Sequence, residues 1–176
     1  MKIRELMSAP VHTCAPHETL AQAAQRMWEH DCGALPVVDH DGRIHAMLTD
    51  RDVCMAAWSR GLPPHALRVG DAMSKALIAC RGDDDVATAA ALLAQHQVHR
   101  LPVLDAQGAL IGVFSVNDLV RHGDHDTSLG RQAVRTLAAV GHPRDERVVK
   151  DGALTPLVIQ AAAKPAATPP AATQRT

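Results

Sequence analysis

A chain of 176 residues with 47% apolar residues can bury one sizeable core, or two small ones packed together. A formal net charge of -1, a single Phe and no Tyr argue against a dedicated nucleic-acid-binding domain, which needs a basic surface or stacking aromatics. No apolar run approaches bilayer-spanning length and MKIRELMSAPV has no signal-peptide core, so a soluble, cytoplasmic protein with no membrane partner is expected, its four cysteines reduced thiols.

Ile3, Leu6 and Met7 recur at helical spacing and predict a short lead-in helix. Val11–Cys14 reads as a short strand. His17-Glu18-Thr19 then enters a helix running to about His30, with Leu20, Ala24, Met27 and Trp28 as its apolar stripe. Leu35–Val38 is a buried strand with Pro36 near its start, Asp41-Gly42 a hairpin turn and Ile44–Leu48 the returning strand. A helix over Asp50–Ser59 is stopped by Gly61 and Pro63-Pro64.

The same order then repeats. Asp71–Ser74 is a lead-in, Leu77–Ala79 a strand, and Asp83-Asp84-Asp85 opens a helix through Gln97 with Val86, Ala90 and Leu93 on its apolar face. Strands Leu101–Leu104 and Leu110–Phe114 flank a turn at Gln107-Gly108, and a helix follows from about Val116 to Arg121. Pro102 and Pro36, Gly108 and Gly42, and Asp118 and Asp52 are all 66 positions apart, as are Cys80 and Cys14. The chain from about residue 7 to 123 is therefore an internal duplication without a gap. Its fold class is α/β (α+β): tandem β-α-β-β-α repeats, 1–66 and 67–123. In the extension 124–160, Ser128–Val140 reads as an amphipathic helix capped by Ser128, and Val148–Leu154 as a small hairpin; the Ala/Pro-rich tail 161–176 is expected to be disordered.

Chemistry concentrates at the two strand-to-helix junctions. Thr49 and Asp52 in the first repeat, and Ser115 and Asp118 in the second, place a hydroxyl and a carboxylate three residues apart at a helix start. Such a pair can converge on a sugar diol, and the backbone N–H groups there can meet a phosphate. The plainer reading is that Thr49 and Ser115 are helix caps and the two aspartates favourable charges in a first turn.

The segments Ala46-Met47-Leu48-Thr49-Asp50-Arg51-Asp52 and Gly112-Val113-Phe114-Ser115-Val116-Asn117-Asp118, each preceded by Leu-Pro-Val and an Asp/Gln-Gly turn, resemble the cystathionine-β-synthase (CBS) domain pair, or Bateman module. The resemblance spans residues 1 to about 123 and is greatest to stand-alone bacterial proteins with two CBS repeats. It implies repeats packed about a pseudo-twofold axis with two clefts, which in many members take AMP, ADP, ATP or S-adenosylmethionine. One cleft would use Thr49, Asp52 and Met47 with Leu77, Ile78 and Arg100. The other would use Ser115, Asp118 and Val113 with Val11, Thr13 and Ala34. Aspartate would hold the ribose hydroxyls, Thr or Ser would contact ribose or phosphate, and Arg100 would neutralise phosphate. The second cleft is the better preserved by this reading, because Gly112 leaves room for backbone approach where the first repeat has Ala46, and Thr13 adds a hydroxyl where the second repeat has Ala79.

The function expected is ligand sensing without catalysis: no Gly-rich phosphate loop is present and Ser115 has no His/Asp relay. No cofactor is required. A homodimer is implied, with an unknown protein target, and Trp28 and Trp58 suit either core or interface. The alternative, drawn from eleven His and four Cys, is a metal- or redox-responsive structural protein that binds no nucleotide. No standard CxxC or HxxxH pair supports it, and no metal ligand is assigned.

Overall fold

The computed structural model describes residues 1–143. The hairpin expected at Val148–Leu154 and the tail from Ala161 lie outside the described residues.

Each repeat builds an antiparallel hairpin whose second strand runs straight into a helix. In the first repeat, β1 (Ala34–Val38) pairs with β2 (Ile44–Thr49), and α2 (Asp50–Arg60) follows at once. In the second, β4 (Arg100–Leu104) pairs with β5 (Leu110–Ser115), and α5 (Val116–Gly123) follows. A helix precedes each hairpin: α1 (Leu20–Glu29), capped by Thr19, and α4 (Val86–His96), with Asp85 at its N-cap position.

The strands expected ahead of those helices are shorter than expected. β3 covers Cys80–Arg81 alone, parallel to β4, and not Leu77–Ala79. Its counterpart in the first repeat is a single bridge from Cys14 to Val37. Both cysteines are buried in the cores.

Two cores form, and each takes its lead-in from the other repeat. Ile3 and Leu6 join the core built on Leu93, Leu101, Phe114 and Leu119. Leu67 and Val69, on the lead-in that includes α3 (Val69–Ala72), join the core built on Leu20, Leu35 and Leu48. The first lead-in is one 3₁₀ turn, Ile3–Glu5, and Lys2 bridges Asp85 as Arg68 bridges Thr19. Fully burying a Leu or Ile contributes ~1.5–3 kcal/mol, so this exchange ties the two repeats together.

The last described helix, α6 (Thr127–Val140), lies across α4 and α5. Leu129, Ala133, Thr136 and Val140 face inward. Its cap is Asp126, whose carboxylate accepts from the N–H groups of Ser128 and Leu129; Ser128 sits inside the first turn and is not the cap. Among the described residues no such helix covers the equivalent face of the first repeat, on α1 and α2, and Trp28 and Trp58 stand 88% and 78% exposed there. The apolar stripe of α1 is accordingly Leu20, Ala23 and Met27, without the tryptophan.

Candidate functional site

Both junction pairs form reciprocal helix caps. The Ser115 N–H and hydroxyl each donate to Asp118 Oδ2, at 2.7 and 2.6 Å, while the Asp118 N–H donates back to Ser115 Oγ at 3.3 Å. Thr49 and Asp52 repeat the pattern at 2.9, 2.7 and 3.1 Å. The plainer reading of these residues thus holds as a minimum: each pair starts a helix.

The surroundings of the two pairs differ. Asp118 is buried, 2% exposed, and its second oxygen is also engaged. Ser8 donates to Asp118 Oδ1 at 3.1 Å, and Arg121 is ion-paired with the same oxygen. Asp52 is half-buried and, among the described residues, receives bonds from Thr49 alone. Repeat symmetry places Ser74 where Ser8 stands. Its hydroxyl donates to the Ala76 carbonyl and accepts from the Met47 N–H instead.

Around Ser115 and Asp118 lies a cavity of about 560 Å³. It draws on both repeats: Val11, His12, His30, Cys32 and Ala34 from the first, Arg100, Val113, Asn117 and Arg121 from the second, with Ser8 at one edge. Val11, Ala34, Val113, Ser115 and Asp118 are brought together as the sequence suggests. Thr13 is not among the lining residues; its carbonyl accepts a 2.6 Å bond from Arg26, which also pairs with Glu18, and this fixes the segment against α1.

Arg100 is placed differently from its sequence-based assignment. It opens β4 directly opposite Ser115, so it leaves the hairpin at the Ser115 edge and lines this cavity rather than joining Thr49 and Asp52. Among the described residues its guanidinium makes no ion pair or hydrogen bond. Gly33 leaves space beside it: a Cβ there would come to 3.5 Å from the guanidinium and 3.0 Å from the Asp50 carboxylate. On the other side, Met47 is bonded through its backbone to Ser74, Leu77 is half-buried, and Ile78 packs against the second core. No described hydrogen bond joins Leu77 or Ile78 to Thr49 or Asp52.

The role foreseen for Gly112 also changes. A Cβ at Gly112 would meet the Met7 sulfur at 2.4 Å and the Ser8 carbonyl at 3.1 Å. The N–H groups of Ser8 and Val113 exchange bonds with each other's carbonyls at 2.9 and 3.0 Å. The glycine therefore makes room for the chain's own lead-in, not for a ligand.

Sequence reasoning missed Ser8, Arg121 and the stacked imidazoles of His12 and His30, whose centroids are 3.5 Å apart. Aligning the repeats puts Arg121 opposite Met55, and that asymmetry one turn after the aspartate was a readable signal. The Cys14 and Cys80 thiols are pushed up from 9.0 to about 12, chiefly by burial, so both are protonated at neutral pH. The His and Asp groups that do approach one another, Asp39, His40 and Asp41, lie half-buried or exposed on the β1–β2 turn.

A family model, the CBS domain, matches residues 3–59 and 69–125. Hypoxic response protein 1 of Mycobacterium tuberculosis is 36% identical over 119 residues, 68% of this chain and 82% of that protein. The CBS domain-containing protein YhcV of Bacillus subtilis is 34% identical over 128 residues, covering 73% and 89%. Among solved structures, Hypoxic Response Protein I with two coordinated zinc ions aligns at a TM-score of 0.63 and 35% identity, over 69% of this chain and 98% of that one. CBS domain protein PAE2072 of Pyrobaculum aerophilum, complexed with AMP, shares the fold at a TM-score of 0.66 and 21% identity, over 74% and 99%.

Proposed function

The chain belongs to the CBS domain family, and from that premise we propose that it is a non-catalytic regulatory module that senses an adenosine-type ligand, AMP, ADP, ATP or S-adenosylmethionine, between its repeats. The observation that carries this reading is the two-repeat cavity around Ser115 and Asp118, whose size suits a nucleotide and which holds an unpaired Arg100. Asp118 would take the ribose hydroxyls, Ser115 and Arg100 the phosphate, and Val11, Ala34 and Val113 the adenine face. Thr49, Asp52 and Met47, with Leu77 and Ile78, would form a second, weaker site. The AMP in PAE2072 accords with this ligand class, though the fold is what that protein shares.

Occupancy would alter the packing between repeats, and a partner would read the change. The partner includes a second copy, docked through α1 and α2, because α6 already covers the matching face of the second repeat. Four free cysteines accord with a reducing, cytoplasmic setting, and no described helix is long and apolar enough to cross a membrane. The name of the mycobacterial relative suggests a role under stress.

A second reading, metal binding without nucleotide, is favoured only by the zinc ions of Hypoxic Response Protein I. Isothermal titration with AMP, ADP, ATP and S-adenosylmethionine separates the two. Saturable heats with at least one are expected. Silence with all four, together with stoichiometric zinc in untagged protein, would replace the first reading with the second.

A further inference from the structure

Asp118 has no free acceptor. An ionised carboxylate offers about four lone-pair sites, and four donors occupy them: the Ser115 N–H and hydroxyl on Oδ2, and the Ser8 hydroxyl and Arg121 on Oδ1. A ribose hydroxyl cannot bind this carboxylate until one of these donors leaves. The equivalent Asp52 is open at Oδ1, because Met55 stands in the place of Arg121 and the Ser74 hydroxyl is bonded elsewhere.

We propose that Arg121 is a latch on Asp118 that a phosphate group releases, so that this cleft selects phosphate esters of the nucleoside over the uncharged nucleoside and over cationic sulfonium ligands. The proposal rests on the nucleoside-binding reading above and narrows it. The Arg121 side chain is 65% exposed and lies at the rim, lining both the cavity and the neighbouring hollow along Glu5–Pro10. It can therefore swing without disturbing the core. A phosphate near Arg100 presents a second, competing anion. As Arg121 turns to it, Ser8 loses its bond from Arg121 at 3.3 Å, and the place Arg121 held on Oδ1 becomes free for a ribose hydroxyl. Charge balance favours the exchange for an anionic ligand only: an uncharged nucleoside would leave Arg121 without a counter-ion, and a sulfonium would add a cation beside two arginines.

Titration of wild type, Arg121→Met and Arg121→Lys with adenosine, AMP and ADP tests the latch. In wild type, ADP is expected to bind at least tenfold more tightly than adenosine. Arg121→Met, which copies the first repeat, should weaken ADP by roughly tenfold and strengthen adenosine several-fold, so the preference collapses. Arg121→Lys should keep much of it. Adenosine binding that falls or stays unchanged in Arg121→Met overturns the latch while leaving nucleoside binding intact. Absence of binding by wild type and both variants overturns the nucleoside reading itself, and the latch with it.

Discussion

Asp118 and Asp52 occupy equivalent places in the two repeats, yet one is sealed by four donors and the other is capped on one oxygen only. The shared part is structural. Ser115→Ala removes both the bond to Asp118 Oδ2 and the acceptor for the Asp118 N–H, and should lower stability by about 0.5–2 kcal/mol in chemical denaturation. Cys14 and Cys80 make a second residue-level case. Their thiol pKa is raised to about 12 in the folded chain from 9.0, chiefly by burial. Folding thus favours the protonated thiols: the contribution is complete below pH 9 and is lost as pH rises toward 12. Denaturation midpoints should fall across that window. At pH 8, iodoacetamide followed by mass spectrometry should label the exposed Cys54 and leave Cys14 and Cys80 unmodified; rapid labelling of either would show that these sites are not sealed.

At the scale of elements, the two repeats diverge where α6 crosses. Gly123 and Gly130 bring α5 and α6 into contact, and a Cβ on Gly123 would meet the Gly130 Cα at 2.7 Å. The first repeat has Ala57 at the matching position, and no described helix crosses it. Gly123→Ala should therefore force the helices apart at a cost of about 1–3 kcal/mol, measurable as a lowered Tm. An unchanged Tm would mean that the crossing is looser than this geometry. The open α1/α2 face gives the complementary prediction. Sedimentation velocity should show a dimer that dissociates in a Trp28→Ala/Trp58→Ala variant, with a red shift of tryptophan emission in the wild type on dilution. A monomeric wild type would remove the interface.

Over the whole molecule, the duplication and its hairpin-to-helix junctions were legible because a constant offset of 66 and period-2 and period-3.6 patterns are local properties of sequence. The exchange of lead-ins was not, because the spacing of Ile3 and Leu6 states that they are buried and not which core buries them. The same limit hid α6: its stripe marked a helix, while its docking depends on two glycines 7 positions apart meeting through space. Val11, Ala34, Val113, Ser115 and Asp118 do line one cavity, as the repeat alignment led one to expect. That Arg100 lines the Ser115 cavity rather than the Thr49 side was not legible, because strand register, which fixes it opposite Ser115, is a pairing property.

The central claim is that ligand binds in the Ser115/Asp118 cavity. It is tested most directly by titrating ADP into wild type, Asp118→Ala and Asp52→Ala under the same conditions. Asp118→Ala should lose at least tenfold in affinity, since the ribose acceptor disappears and this loss outweighs the release of Arg121, while Asp52→Ala should change it less than threefold. A larger loss in Asp52→Ala than in Asp118→Ala would contradict the assignment and move the ligand to the other side of the module.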